Sequence, residues 1–455
     1  MLQSLLPQSP INPAATSSSE AAPATSKRSS SPSSSDDHRP LKHPNLNIST
    51  TLPPAIDSPE IESRGLHLLS LLLQCAESVA VDNLTDALSL LPEITSLSSP
   101  FGSSPERVAA YFSDALRARI LSSYLSTYSP LPLKTLTVTH RIPRSFHLLN
   151  SLTPLIKFSH FTSNQAIFQS IQSFSRLHIV DFDIMQGLQW PGLFHILASR
   201  PRPIESVRIT GIGPDSDLLE ATGRRLADFA TSLNLPFQFT PLEGKIADLA
   251  TDFTSFRHRD PAEATVVHWT QHCLYDVTGS DLAAAQFLSS LRPRLLTVVE
   301  QDLGHGSGGG FLGRFVEALH YYSALFDAIG DGGGGGEERW EVERGVLGGE
   351  IRNIVAVGGP KRTGEVRVER WGDELRRVGF RPVSLAGSPA AQASLLLGMV
   401  PWKGYTLAEE GGRLRLGWKD LSLLTASAWR PANVAGEVEE DGREEEWDRT
   451  ERVSL

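Results

Sequence analysis

The sequence holds only two cysteines, Cys75 and Cys273, far apart and in apolar surroundings. That excludes a disulfide framework and a cysteine-based metal site, and it suits a reducing compartment. No apolar run reaches the roughly 20 residues of a membrane-spanning helix, so no membrane contact is expected. A basic stretch followed by a long apolar segment, as in a secretory signal, is missing near the start. Neither G-x-S-x-G nor G-x-x-x-x-G-K-[ST] occurs, which leaves hydrolase-elbow and P-loop chemistry without support. No internal repeat recurs at a fixed period, which argues against solenoids and propellers. Positive charge is short as well: 42 Lys and Arg stand against 52 Asp and Glu, a net charge of −10. A chain-wide electrostatic footprint for nucleic acid is therefore absent. The acidity is uneven. Nine acids against three arginines follow Pro431, so that tail carries about −6 of the total and the remainder is only mildly acidic.

What is present divides into three. Residues 1–62 are rich in Ser, Pro, Ala and Thr and lack the apolar content to offset ordering entropy, so a disordered N-terminus is expected, either regulatory or dispensable. Helical spacing begins near Arg64, with Leu66, Leu69, Leu73, Ala76 and Ala80 read as one apolar face. A second helix starts at Leu84. Ser104-Pro105-Glu106 caps a third, expected to bury Val108, Phe112, Ala115, Leu116 and the side of Leu121. Further helices are expected over 143–151 and 163–174. This block contains an LxxLL pattern, Leu68, Leu71 and Leu72, which can dock as a helix in a partner's groove, although such a leucine cluster is more often core.

From residue 177 the pattern changes. Leu177-His178-Ile179-Val180-Asp181-Phe182 reads as a strand buried on both faces, followed by a turn at Met185-Gln186-Gly187 and a helix opened by Pro191. Strands at 206–212, 237–240, 265–269 and 295–300 alternate with helices, including 218–233, 282–291 and 311–329. Alternation of this kind gives a mostly parallel sheet with helices on both faces. Helix is also expected over 350–357 and 389–399, a strand at 381–385, and two strands over 405–416 joined at Glu410-Gly411-Gly412. Gly304–Gly310 reads as a glycine-rich loop and Gly332–Gly336 as a flexible insertion.

In such sheets the loops after the strands converge on one edge. Asp181 and Asp183, His268 and His272, and Glu300 and Asp302 are placed there, giving a polar, acid-rich crevice. Paired carboxylates can serve acid/base work or hold a cation. The order also resembles Rossmann-like methyltransferases. Their cofactor loop needs several glycines where this chain offers Gly187, and their second strand ends in an acid where this chain has Thr210-Gly211-Ile212-Gly213. Both departures count against S-adenosylmethionine chemistry. His268 and His272 have zincin spacing but no glutamate beside His268, so a structural pair is favoured over a zinc site.

The motifs themselves resemble the GRAS family of plant regulators, over about 64–430. Leu177-His178-Ile179-Val180-Asp181 is similar to the family's VHIID motif, and leucine-rich helical regions flank it. FLGRFVEALHYYSALFD with Glu350-Ile351-Arg352-Asn353 resembles the PFYRE region. Trp371–Gly379, Trp418–Trp429 and the closing Ser427-Ala428-Trp429 resemble the SAW region. QGLQWPGLFHILASRP and LGWKDLSLLTASAW are similar to the SCARECROW branch. The resemblance implies an α/β fold: a Rossmann-like core over 176–430 with a mostly parallel sheet and a terminal β-hairpin, under a helical cap over 63–175, with an acidic disordered tail from 431. It implies a nuclear transcriptional regulator rather than an enzyme, with no cofactor and no metal. The implied partners are other GRAS proteins of SHORT-ROOT type and zinc-finger transcription factors, with DNA reached mainly through them.

Overall fold

The computed structural model describes residues 58–125, 141–249, 262–303, 310–331, 336–357, 370–399 and 403–432. Residues 1–57, nearly all of both glycine segments and the acidic tail from 433 lie outside the described residues; residues 58–62, expected to be disordered, open the first helix instead.

The sheet has nine strands: β1 (Arg176–Phe182), β2 (Ser206–Gly213), β3 (Phe237–Glu243), β4 (Glu263–Thr270), β5 (Leu295–Gln301), β6 (Phe380–Val383), β7 (Tyr405–Glu410), β8 (Arg413–Trp418) and β9 (Leu421–Pro431). Its order is β3-β2-β1-β4-β5-β9-β8-β7, with β6 paired to β9. The first five strands run parallel and the rest antiparallel. The expected terminal hairpin is β7–β8. It is larger than read, because β9 inserts beside β5 and extends it into a meander.

Alternation along β1 explains why both sheet faces are covered. Leu177 and Ile179 join the large core shared with the cap, whereas Val180 and Phe182 join a second cluster with Trp269, Phe287, Trp371 and Trp429. Every β1 residue after Arg176 is buried, as a strand sandwiched between helical layers requires.

The cap is built from helices Ser58–Ala80, Leu84–Leu97, Ser104–Leu125, Arg141–Leu152 and Leu155–Ser170, together with Gly310–Asp331 and a continuous helical rod over 336–357. Several expectations are corrected here. In the first helix Leu66 and Leu69 are exposed, and the buried stripe is Leu68, Leu71, Leu72, Cys75, Ala76 and Val79. Both stripes satisfy helical spacing. The one chosen carries the small Cys75, and the second helix lies close enough for the Cys75 thiol to reach the Ala87 carbonyl. Leu121 is exposed and Ile120 takes the core position. The helix read as 163–174 runs over Leu155–Ser170, started by Pro154. The rod holds two π-helical turns, Glu343–Leu347 and Asn353–Val357, which no local sequence signal announced.

Candidate functional site

Sheet register builds the site. Gly211, Asp181, His268, Thr297 and Ala428 form one row across β2, β1, β4, β5 and β9. Paired residues of one row share a face. Asp181 and His268 thus arise on the face beneath the cap.

Asp181 accepts a hydrogen bond from the Trp190 indole N–H at 2.8 Å and is fully enclosed. Burial holds its carboxyl well above the usual range, and neighbouring Asp183 adds to this. The His268 ring stands edge-on to Trp190, with Nδ1 2.9 Å from the Thr297 hydroxyl and Nε2 3.0 Å from that of Thr270. The Thr297 hydroxyl also lies 3.4 Å from the Val267 carbonyl. Burial lowers this imidazole to about 3 and keeps it neutral.

The chain leaves β1 through a strained loop. Asp183 (φ 84°) and Met185 (φ 46°) are left-handed non-glycine residues, and Gly187 (φ 60°) follows. Such conformations cost of order 1–3 kcal/mol each and persist only where surroundings impose them. Here the Ile184 N–H donates to the Ile212 carbonyl, the Thr222 hydroxyl to the Met185 carbonyl, and Arg225 to the Gln186 carbonyl. Asp183 Oδ2 accepts from His272 Nε2 and from the Tyr275 hydroxyl, both at 2.7 Å. His272 Nδ1 accepts from the Leu274 N–H, which fixes its tautomer.

The helical rod closes the other side. Glu350 is buried and accepts from the Cys273 N–H, Gln301 Nε2 and the Tyr322 hydroxyl. Asn353 donates to the carbonyls of Cys273 and Leu274. Between sheet edge, loop and cap lies a chamber of about 170 Å³, bordered by Asp181, Asp183, His268 and His272.

Glu300 and Asp302 are not part of it, which corrects their assignment to the crevice. Side chains alternate along a strand, so Val299 and Gln301 reach the chamber while Glu300 turns to the opposite face. There burial and Asp302 push Glu300 up to about 7, against the pull of Arg413. Asp302 is bound by the hydroxyls of Ser422 and Thr425 on β9. Nor is the crevice mainly polar, since Ile142, Phe146, Leu149 and Leu325 line it. Sequence reasoning missed Gln271, Gln301, Tyr275 and Glu350. Period-two counting from Val299 would have found Gln301. His268 and His272 face different partners, and no group of three or more metal-ligating side chains occurs among the described residues.

The other singled-out motifs are interior. Leu68, Leu71 and Leu72 are 1 %, 5 % and 2 % exposed, so they cannot dock a partner while this helix stays in place. His178 Nε2 lies 2.8 Å from the Thr210 hydroxyl. Trp429 is buried, donates to the Ser427 hydroxyl, and has the guanidinium groups of Arg376 and Arg413 at 5.4 and 5.8 Å from its ring.

Comparison with known proteins matches residues 68–430 to the GRAS domain family. Scarecrow-like protein 23 of Arabidopsis thaliana is 62 % identical over 384 residues, covering 82 % of this chain and 93 % of that protein. Protein SCARECROW of Arabidopsis thaliana is 56 % identical over 373 residues, 81 % of this chain, which spans only 56 % of that longer protein. The crystal structure of SCL7 in Oryza sativa superimposes with a TM-score of 0.65 at 33 % identity, covering 80 % of this chain and 99 % of the solved one. With the matched region spanning cap, sheet and final strand, this chain belongs to the GRAS domain family.

Proposed function

We propose that this chain is a plant nuclear transcriptional co-regulator that acts by assembling with other proteins. Its partners are other GRAS proteins of SHORT-ROOT type and DNA-binding zinc-finger proteins, and it reaches DNA mainly through them, in tissue patterning. The similarity to Scarecrow-like protein 23 along nearly all of that protein supports the reading. So does the net charge of −10, which disfavours direct binding to the phosphate backbone.

The observation that carries it against an enzyme of methyltransferase type lies at the end of β2. There a dinucleotide or S-adenosylmethionine fold keeps space and an acid for a ribose. In this chain β2 ends in Gly211-Ile212-Gly213 with no acid, and a Cβ on Gly211 would stand 2.8 Å from the Phe239 ring and 2.9 Å from Ile184. Phe239 and Ile184 crowd this end of β2, and Asp181 is engaged by Trp190.

The test has two arms. A fluorescent fusion in plant cells is expected in the nucleus, with promoter occupancy by chromatin immunoprecipitation that collapses when the zinc-finger partner is removed. Tight, salt-steep binding of the purified chain alone to one DNA sequence would instead favour a direct DNA-binding regulator. Calorimetric titration with S-adenosylmethionine is expected to stay at the dilution baseline. Saturable heat lost in Asp181→Ala would restore the enzyme reading.

A further inference from the structure

The chamber beneath the cap holds three buried polar atoms without a hydrogen-bond partner: Asp183 Oδ1, Gln271 Nε2 and Gln301 Oε1. Orphaned polar atoms of this kind are uncommon in folded proteins and each demands an explanation. Here they belong to side chains at two adjacent strands' ends and one strained loop, and all three residues line one cavity. The backbones that carry Gln271 and Gln301 are tied together, because the Gln271 N–H donates to the Val299 carbonyl at 2.8 Å. Asp183 is held by its two donors and by a left-handed backbone that a non-glycine residue adopts only under constraint. The remaining wall is apolar, from Ile142, Phe146, Leu149 and Leu325.

We propose that this chamber binds a small neutral molecule, the size of a single ring and carrying two or more hydroxyl groups, with Asp183, Gln271 and Gln301 as its polar contacts. A hydroxyl donates to Asp183 Oδ1 or Gln301 Oε1 and accepts from Gln271 Nε2, so hydroxyls meet all three needs. The apolar wall takes the ring and disfavours a charged body. Size favours a small occupant. A cavity of about 150 Å³ accepts benzene, so about 170 Å³ has room for one ring. The site is a binding site with no reaction attached, and it stands whether or not the chain is a co-regulator.

The experiment uses the full chain and resorcinol as probe, with benzene and S-adenosylmethionine as comparators, read by calorimetry and by the thermal midpoint. Resorcinol is expected to bind saturably at one site and raise the midpoint. Gln271→Leu removes an unsatisfied buried amide. It is expected to hold or raise the midpoint of the free chain while weakening resorcinol tenfold or more, two opposite effects that mere damage to the fold does not produce. Leu325→Phe, which fills the chamber, is expected to abolish binding. Should that variant fail to fold, Gln271→Leu decides alone. Four results overturn the proposal: no saturable resorcinol binding, resorcinol affinity unchanged in Gln271→Leu, benzene bound as tightly as resorcinol, or S-adenosylmethionine displacing it.

Discussion

Asp181 shows what a single buried carboxylate does in this fold. It ends the VHIID-like strand, yet its partner is an indole from the next helix rather than a ligand. Asp181→Ala leaves the Trp190 N–H unpaired in the interior, and urea unfolding should show a loss of about 1–3 kcal/mol. Asp181→Asn keeps an acceptor without the buried charge. Because burial raises the native carboxyl, the wild type loses stability as pH rises above the ordinary value near 3.8. The advantage of the asparagine variant should therefore grow with pH, and unfolding at several pH values checks it. Glu300 behaves alike in a better defined window. Its carboxyl moves from 4.5 unfolded to about 7 folded, so the stability it gives by holding a proton is complete below 4.5 and gone above about 7. Glu300→Gln is expected to flatten the wild-type decline across that window, by at most about 3 kcal/mol. An unchanged slope would mean the carboxylate is solvated.

At the scale of elements, close approach decides more than periodicity. Gly223 lies in the helix Ser216–Ser232, where alanine normally adds up to about 1 kcal/mol. Here a Cβ would strike the Phe239 ring on β3. Gly223→Ala is therefore expected to destabilise by about 1–3 kcal/mol through overpacking, measured by thermal denaturation. A stabilising result would show that β3 shifts freely. The same contrast explains what the sequence made legible. Runs such as LHIVDF and LLTVVE declare buried strands by composition, and their alternation with amphipathic helices declares a parallel sheet. Which leucines of the first helix face inward was not readable, because Leu66 and Leu69 fit the period as well as Leu68 and Leu72. The crevice was half legible. Strand ends located Asp181, Asp183, His268 and His272, whereas Gln271 and Glu350 reach the chamber through a loop and a π-bulged rod. No local pattern encodes their approach.

For the whole molecule, one hydrophobic cluster runs from Leu68 in the cap to Ala428 in the last strand, so cap and sheet should unfold together. Arg107 and Glu343 tie two cap elements with a buried ion pair at 2.8 Å. Removing one partner strands the other's charge. Glu343→Ala is expected to cost about 3–5 kcal/mol and to lower far-ultraviolet and tryptophan-fluorescence transitions by the same amount. Two separated transitions would show the cap to be an independent unit. Strand β9 adds a temporal condition. It pairs with β5 along one edge, and with β8 and then β6 along the other, so it closes the middle of the sheet although every other strand is synthesised first. Until it arrives, β5 keeps an open, apolar edge of the kind that recruits strands from other chains. A message cut short before codon 421 would thus yield a sticky, open-edged product fit for chaperones or proteases, and synthesis of β9 itself licenses the fold.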